Sequence, residues 1–342
     1  MNLSDFDFDL PADRIAQFPL PDRAASRMMV IDRSKNTIRH SVARRLPEEL
    51  SKDDLLVLND SRVFPARLRG EAVGGRPLEA LFVRPLGKGE WVLLLKPARR
   101  VRRGSLVRFE SAGLEGETVR PAGEGEWIVR FPEGEAIESA LERAGEVPLP
   151  PYIRRKPVEE DRTRYQTVFA REKGSIAAPT AGLHFTEALL RDLGARGVAA
   201  ARLTLHVGPG TFRPIRADRI ESHRFEAEFY RVPEETAAAI RRAREKGGRV
   251  VAVGTTVVRT LEGAAAEGRT VRAGSGWTDL FIRPPYEPKV VDALLTNFHL
   301  PRSTLFVLVA AFAGLERMKS AYRAAVEAGY RFYSYGDCTL IV

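Results

Sequence analysis

The middle of this chain differs from both ends in its pattern of apolar and polar residues, and that contrast constrains the fold more than any other feature. Between about residues 66 and 147, short runs of alternating apolar and polar residues such as EWVLLLK and EWIVRF are separated by glycine-rich turns. Alternation with a period of two is typical of strands, and many short strands with close turn signals predict a small barrel or sandwich. We therefore predict an antiparallel β-barrel domain over residues 66–147.

The remainder of the chain shows helical and extended patterns in alternation, which is typical of an α/β fold. The run LLVL at 55–58 predicts a buried strand that is too short to stand alone, so we assign it to the later α/β part. The predicted architecture is an α/β main domain formed by residues 1–65 and 148–342, with the barrel domain inserted between them. The patterns predict helices near 187–196, 234–246, 256–266, 302–313 and 316–328, and strands near 201–207, 249–254, 278–282 and 331–341.

Charge and cysteine content narrow the class of protein. The formal net charge of +9 favours a polyanionic partner because long-range attraction raises encounter rates, although arginine-rich proteomes also give basic proteins without that role. Cys338 is the single cysteine, which excludes an intrachain disulfide and a zinc site built on several thiolates. The acidic N-terminus lacks an apolar signal core, and no apolar run approaches membrane-spanning length. We expect a cytoplasmic monomer without a metal or a membrane segment.

The segment GSIAAPTAGLHFT at 174–186 combines small residues, a proline and a histidine just before an amphipathic run. Small residues let a ligand approach the backbone, and Thr186 can cap the following helix. His184 would then lie beside a helix N-terminus, which attracts anions. Thr180, Gly182 and His184 are therefore candidate ligand-binding residues, and the alternative is a tight turn with a core histidine.

A second glycine-threonine segment, GTTVVRTLE at 254–262, follows the apolar run RVVAV. Gly254 allows a sharp turn, and Thr255 or Thr256 can cap the next helix. A strand, a glycine and a helix start suit a carboxylate or a ribose hydroxyl, whereas the missing GxGxxG pattern gives no support for a dinucleotide fold. In the nearby LHVGPGTF, His206 alone is better explained as a hydrogen-bonded core histidine than as a catalyst.

Several titratable side chains stand in distant segments. Asp279 interrupts an apolar strand pattern, so it must be solvated, paired or protonated. His299 precedes Pro301 at a predicted helix start, and Asp337 follows a glycine near the chain end. These groups could converge, and Arg259 is a candidate partner or a surface cation.

The chain is identified as a member of a known family by these segments together. It resembles the S-adenosylmethionine:tRNA ribosyltransferase-isomerases, the enzymes of queuosine synthesis, along nearly its whole length. The resemblance implies an α/β domain interrupted by a small β-barrel. Besides residues 174–186 it rests on DLLVLNDSRVFPARL (54–68), PLPPYI (148–153), DRTRYQTVFA (161–170), LHVGPGTF (205–212), GTTVVRTLE (254–262), DALLTNFHLPRSTL (292–305) and YRFYSYGD (330–337).

The activity that this resemblance implies moves the ribosyl part of S-adenosylmethionine to an aminomethyl deazaguanine at the tRNA wobble position. Adenine and methionine leave, and an epoxycyclopentanediol forms. Such a reaction needs a base beside the sulfonium, a group that hydrogen-bonds departing adenine, and carboxylates that balance the positive charge. Because the sulfonium itself makes the donor electrophilic, no metal is required. We assign proton transfer and charge balance to Asp279, His299 and Glu228. We assign donor binding to Thr180, Gly182, His184, Gly254, Thr255 and Thr256.

Contacts to tRNA are expected from exposed cations and aromatic rings. Basic residues within the KPARRVRR run at 96–103 and at 154–156 could neutralise phosphates, although a charge run is usually just solvated. Tyr152, Tyr165 and Phe169 could stack on an extruded base or belong to the core. The arginines predicted to contact nucleic acid are Arg99, Arg100, Arg102, Arg103, Arg154 and Arg155.

One segment departs from the family pattern. In SHRFEAEFYRV, Phe225 and Glu226 stand where the family shows methionine and histidine, while His223 and Glu228 are retained. Either Glu226 substitutes as a carboxylate base, or its position serves binding or packing. Two other functions remain open at this stage, a methyltransferase with the same donor and a noncatalytic RNA-binding module built on the barrel.

Overall fold

The structure, a computed structural model, describes residues 1–72, 74–132, 134, 136–212 and 215–342, with Phe212 described by its backbone alone. Its strands form one large sheet, a closed barrel and two short pairs. In chain order the strands are β1 Arg27–Asp32, β2 Thr37–Val42, β3 Leu55–Asn59, β4 Ser61–Val63, β5 Arg67–Ala72, β6 Arg76–Gly87, β7 Glu90–Lys96, β8 Leu106–Phe109, β9 Leu114–Gly123, β10 Glu126–Arg130, β11 Glu172–Ser175, β12 Ala199–Leu205, β13 Glu228–Val232, β14 Val250–Val253, β15 Ala265–Ala266, β16 Thr270–Val271, β17 Gly274–Thr278, β18 Ala293–Asn297 and β19 Cys338–Ile341.

The large sheet has nine strands in the order β17-β13-β12-β3-β14-β18-β19-β1-β2. Its centre, β12-β3-β14-β18, is parallel, while both flanks include antiparallel pairs. Strand β3 is buried along its whole length, as expected of a central parallel strand that is covered on both faces. Since parallel strands point the same way, β12, β3, β14 and β18 end at one edge of the sheet.

Helices cover both faces of this sheet. The most apolar, α7, is almost entirely buried, and the Ser303 side chain caps it by accepting a hydrogen bond from the amide of Phe306 at 3.1 Å. None of the helices in the described ranges is long and apolar enough to cross a lipid bilayer. The helices are α1 Leu46–Glu49, α2 Ile137–Ala144, α3 Asp161–Arg164, α4 Glu187–Ala195, α5 Glu234–Glu245, α6 Thr255–Gly263, α7 Thr304–Ala313 and α8 Leu315–Glu327.

The barrel closes in the order β10-β7-β6-β5-β8-β9, with every neighbouring pair antiparallel. Phe82, Phe109 and Phe131 meet in its interior, with ring centroids of Phe82 and the other two 5.6 and 5.7 Å apart. The chain enters and leaves the barrel side by side, because the backbones of Arg67 and Glu146 bond each other in both directions. This architecture confirms the predicted α/β fold with a small antiparallel barrel, and the domain boundaries at 66 and 147 remain a prediction.

Polar contacts connect the barrel to the sheet domain. Arg216 pairs with Glu124 at 2.6 Å, and Lys173 pairs with Glu142 of α2 at 2.8 Å. The guanidinium of Arg84 on β6 lies 5.7 Å from the ring centre of Trp277 on β17. The cleft between the two units therefore has walls from both.

Two sequence predictions of strands are wrong. The strand expected near 278–282 lies at Gly274–Thr278, so Asp279 follows it and is exposed. The strand expected near 331–341 is confined to Cys338–Ile341. The preceding residues instead wrap around the buried Asp337 carboxylate, which accepts hydrogen bonds from the amides of Arg27 and Arg331. Burial raises the pKa of Asp337.

Candidate active site

Two adjoining cavities lie at the edge where the four parallel strands end. The smaller, about 50 Å³, is lined by the segments that follow β14 and β18 and by the glycine-rich segment before α4. The larger, about 570 Å³, lies between the barrel and the sheet domain. Val207 lines both cavities. The carboxyl edge of a parallel sheet is where ligands bind in open α/β folds, so the topology and the cavities indicate the same place.

The smaller cavity brings together five of the residues that the sequence predicted for donor binding or catalysis. Four belong to the two glycine-threonine segments and one follows β18. None of the described side chains that line this cavity carries a formal charge at neutral pH, and many offer hydroxyl or amide groups. Such a lining suits a neutral, hydrogen-bonding part of a ligand. The five residues are Thr180, Gly254, Thr255, Thr256 and His299.

Gly254 forms the turn from β14 into α6. Its φ of 95° is one that residues with a side chain rarely adopt. No side chain caps α6, so the prediction that Thr255 or Thr256 caps it is wrong, and the Thr256 hydroxyl accepts a hydrogen bond from the Asn59 amide at 3.2 Å. The uncapped first turn of α6 therefore presents its backbone N–H groups at the cavity.

His299 is buried beside the smaller cavity. Its Nε2 lies 3.1 Å from the hydroxyl of Thr296, and its backbone amide donates to the hydroxyl of Tyr322 at 3.1 Å. Burial lowers the pKa of His299 to about 3, so its imidazole is neutral at physiological pH. A neutral imidazole can donate one hydrogen bond and accept another, which suits contact with a heterocyclic leaving group.

Asn297 ends β18 and lines the same cavity. Its Nδ2 donates to the carbonyl of Tyr333 at 3.0 Å and lies 3.2 Å from Nε2 of His184. Because Nδ2 can only donate, the histidine nitrogen must accept, which places the proton of His184 on Nδ1. The Oδ1 of Asn297 is buried and has no hydrogen-bond partner among the described residues. Asn297 is thus held with an acceptor available for a ligand.

His184 and Gly182 lie behind this wall. His184 does not line the smaller cavity, and burial together with Arg23 and Arg331 lowers its pKa to about 4. A Cβ added to Gly182 would lie 2.7 Å from the Thr167 side chain and 2.8 Å from Phe169. The small residue here allows close packing within the protein. Thr186 does cap α4, accepting a hydrogen bond from the amide of Leu189 at 3.1 Å.

The larger cavity combines aromatic rings with carboxylates. Among the described residues, six glutamates, one arginine and one lysine line it. His206 lies in its wall, and its ring stacks on Phe229 with centroids 5.8 Å apart and planes 17° apart. The prediction of a hydrogen-bonded core histidine is wrong, because neither ring nitrogen of His206 has a hydrogen-bond partner in the described structure. Burial lowers the pKa of His206.

Glu228 lines the larger cavity as part of a buried ion pair. Its carboxylate contacts the guanidinium of Arg259, and both side chains are 3% exposed. It also accepts hydrogen bonds from the amide of Gly208 and the hydroxyl of Thr211, each at 2.9 Å. Glu228 therefore fixes the glycine-proline loop after β12. Glu226 lines the larger cavity, and a Cβ on Gly210 would lie 2.7 Å from its Oε2.

The remaining predicted residues do not lie together. Asp279 lines neither cavity and is exposed. Arg155 is committed to a bidentate pair with the buried Asp161, at 2.6 and 2.8 Å, and its Nε donates to the carbonyl of Gln17. Among the other predicted cations, Arg100 is half-buried, and four are exposed, namely Arg99, Arg102, Arg103 and Arg154.

The three aromatic residues proposed for base stacking lie in different environments. Tyr165 is completely buried and Phe169 nearly so, which makes the stacking prediction wrong for both. Tyr152 lines the smaller cavity, and its hydroxyl contacts that of Ser334. No set of three histidine, cysteine, aspartate or glutamate side chains that could hold a metal ion occurs within the described ranges.

Comparison with known proteins assigns the family. The sequence profile of the family described as "Queuosine biosynthesis protein" matches residues 3–341.

The chain belongs to this family.

Two relatives are named S-adenosylmethionine:tRNA ribosyltransferase-isomerase. One from Anaeromyxobacter sp. (strain Fw109-5) is 53% identical over 345 residues, covering 100% of this chain and 99% of the relative. One from Natranaerobius thermophilus is 49% identical over 344 residues, with the same shares covered. The crystal structure of an S-adenosylmethionine tRNA ribosyltransferase from Thermotoga maritima is 39% identical, with a TM-score of 0.58, covering 99% of this chain and 100% of that one. The resemblance identified from the sequence is confirmed.

In this family member, Asn297 escaped the sequence analysis, and His206 was interpreted there only as a core histidine. Asn297 was passed over within TNFHLP, although it ends a buried strand parallel to the one that ends before Gly254. A search for polar residues at the ends of successive apolar runs would have found it. No local signal distinguishes His206, because its environment is supplied by β13, β11 and the barrel.

Proposed function

We propose that this chain is an S-adenosylmethionine:tRNA ribosyltransferase-isomerase. It transfers and isomerises the ribosyl part of S-adenosylmethionine onto an aminomethyl deazaguanine at the tRNA wobble position, and releases adenine and methionine. The full-length similarity to relatives that carry this name supports the activity. Its tRNA substrate would be met in the cytoplasm.

One structural observation carries the proposal at the level of the site. Described residues from six separate segments meet at the smaller cavity, which opens next to a much larger cleft between the two units. A reaction that joins a small donor to a base of a macromolecule needs two such compartments in contact. The loop 207–211 lies between them.

In this proposal the adenosyl part of the donor binds at the smaller, uncharged cavity and extends beyond it, because about 50 Å³ is too small for the whole group. Backbone N–H groups at the start of α6 and the hydroxyls of Thr180 and Thr256 face its ribose. Asn297 supplies a fixed acceptor. His299, neutral because of burial, hydrogen-bonds adenine as it departs. The sulfonium then lies toward the loop 207–211, on the carboxylate-rich side.

Glu228 acts through the loop that it holds. Because its carboxylate is already paired with Arg259 and bonded to Gly208 and Thr211, it is a positioning residue rather than a mobile proton acceptor. Asp279 is left out of the reacting set because it is exposed outside both cavities. We expect Asp279→Asn to retain turnover within about twofold, and His299→Ala to lose about 10²-fold, the usual scale for one positioned acid–base group.

The experiment that tests the activity uses purified protein, S-adenosylmethionine and tRNA carrying the aminomethyl deazaguanine. Nucleoside masses after digestion, together with free adenine, report the products. A gain equal to the epoxycyclopentanediol group with released adenine is the expected result. A methyl-sized gain with S-adenosylhomocysteine would instead establish a methyltransferase. Tight tRNA binding that is indifferent to the donor, with no new nucleoside, would establish an RNA-binding module.

A further inference from the structure

The larger cavity contains an aromatic surface that the donor site does not use. Phe229 on β13 lies between His206, which stacks on it, and Trp277 on β17, whose ring meets Phe229 edge-on with centroids 5.7 Å apart. Trp277 is 57% exposed, unusual for so large a ring, and Arg84 of the barrel approaches its face. These three rings form a stepped surface from the mouth of the cleft to its wall.

His206 is held with its hydrogen-bonding capacity unused. A Cβ on Gly174 would lie 2.9 Å from its Cε1 and Nε2, so only glycine leaves room for the ring in this position. Its backbone amide bonds the carbonyl of Phe229 at 3.0 Å, which fixes the histidine over that ring. Its Nδ1 has no hydrogen-bond partner among the described residues, so the imidazole, beside a cavity of about 570 Å³, is available to donate to or accept from a planar ligand.

The carboxylates of the lining bear on which planar ligand the cavity accepts. Six of its described lining residues are glutamates, and three of these are already paired, Glu124 with Arg216, Glu142 with Lys173 and Glu228 with Arg259. Carboxylate oxygens in the wall can accept hydrogen bonds from a ring that carries an ammonium group. Two of the six, Glu226 and Glu228, adjoin the loop 207–211 that separates this cavity from the donor cavity. A cationic arm placed near these carboxylates would face the donor.

We propose that this cavity is the receptor site for the extruded acceptor nucleobase. In that site the base stacks against Trp277 and Phe229, His206 hydrogen-bonds its edge, and its aminomethyl ammonium lies on the Glu226 side. The inference rests on the proposed function, since it names where that reaction's second substrate is held. Extruded bases are commonly bound by such stacking and edge contacts.

Binding without the donor tests the site separately from turnover. The probe is an anticodon stem-loop with the aminomethyl deazaguanosine at the wobble position, and the matched probe has guanosine there. Affinity is measured with the full chain by fluorescence anisotropy. Trp277→Ala is expected to weaken binding of the first probe about tenfold, the scale of one lost base–aromatic stack. His206→Phe keeps the stacked ring but removes the hydrogen bond, and is expected to weaken binding about three- to tenfold.

A separate variant tests the recognition of the ammonium charge. Glu226→Gln is expected to weaken the aminomethyl probe several-fold and to leave the guanosine probe unchanged, because only the first carries an ammonium. The matched controls are Leu106→Ala, which truncates an exposed apolar side chain of the barrel, and His40→Gln, which replaces an exposed histidine away from both cavities. Both are expected to bind both probes like the wild type.

The outcomes separate this inference from the proposed activity. Weaker binding and a raised KM for tRNA, with the KM for S-adenosylmethionine unchanged, would support the base site. Unchanged affinity in Trp277→Ala and His206→Phe, with adenine still released by the wild type, would overturn the base site and leave the activity standing. Failure of the wild type to release adenine would overturn the activity itself. Equal losses for both probes in Glu226→Gln would overturn the assignment of the ammonium.

Discussion

At the scale of single residues, two buried histidines make the stability of the fold depend on pH. His184 and His299 have pKa values lowered from 6.5 to about 4 and about 3, so the unfolded chain binds protons at mildly acidic pH where the folded chain does not. Their contribution to stability is therefore complete above pH 6.5 and is lost as the pH falls toward 4 and 3. Each contributes a slope of about 1.4 kcal/mol per pH unit within that window.

Urea unfolding at pH 7.5 and pH 5 measures this slope. We expect the wild type to lose more free energy of unfolding between these pH values than His299→Gln does. Leu106→Ala, which truncates an exposed side chain and removes no titratable group, should behave like the wild type. Identical pH slopes for His299→Gln and the wild type would contradict a neutral, buried His299.

The ion pair of Glu228 and Arg259 gives a prediction about a pair of residues. Removing one partner leaves a buried charge, so Glu228→Gln should cost about 3 kcal/mol in the free energy of unfolding. The double variant Glu228→Gln/Arg259→Met should recover much of that free energy of unfolding. It should not recover activity, because position 228 still lacks the carboxylate that binds the amide of Gly208. Arg130→Met, which breaks an exposed barrel pair with Glu90, should cost less than about 1 kcal/mol. A loss in Glu228→Gln no larger than in Arg130→Met would contradict the prediction.

At the scale of elements, the turn from β14 into α6 is the most sensitive connection. Gly254→Ala should destabilise the protein by about 1–3 kcal/mol because its φ is 95°. It should also raise the KM for S-adenosylmethionine, because the first turn of α6 would move. Gly314→Ala is the matched control, since Gly314 has a φ of 93° at the start of α8, away from both cavities. An equal rise in KM for both variants, measured by adenine release, would show that strain alone is responsible.

Some elements follow from local sequence signals, and others depend on distant contacts. Helices such as α4 and α5 were predicted to within a residue or so, because their apolar spacing and the Thr186 cap are local signals. The stretch 331–337 was predicted as strand because of its aromatic residues. It is instead organised by Asp337, whose partners include Arg27 from the opposite end of the chain. A contact between residues about three hundred positions apart produces no periodic pattern in the sequence.

The same distinction explains the candidate site. Thr180, Gly254 and His299 could be found because glycine-threonine segments and a histidine before proline are visible locally. Whether a side chain faces a cavity depends on its neighbours, which is why Gly182 packs against Phe169 and Asp279 projects beyond the strand. The aromatic surface around His206 requires β12, β13 and β17 to be adjacent, an order that no single segment contains.

At the scale of the whole molecule, the exposed arginines predict how tRNA binding responds to salt. Each phosphate contact that is removed lowers the slope of log affinity against log salt by about 0.9. If Arg102 and Arg103 contact phosphates, Arg102→Ala/Arg103→Ala should reduce that slope by about 2. Arg108→Ala/Arg130→Ala removes two exposed barrel arginines that are already paired with glutamates, and should leave it nearly unchanged. Equal slopes for all three proteins would show that the cluster 99–103 does not contact tRNA.

Because β3 lies between β12 and β14, the order of synthesis on the ribosome conflicts with the order of the sheet. The apolar strand Leu55–Asn59 emerges early, yet its neighbours begin at Ala199 and Val250, and β1 must await β19 at the very end of the chain. The barrel, by contrast, has all six of its strands within one continuous stretch. The nascent chain can therefore complete its inserted unit while the host sheet is still lacking most of its strands. A nascent chain that stops before residue 199 would leave both edges of β3 unpaired, which exposes an apolar strand to aggregation.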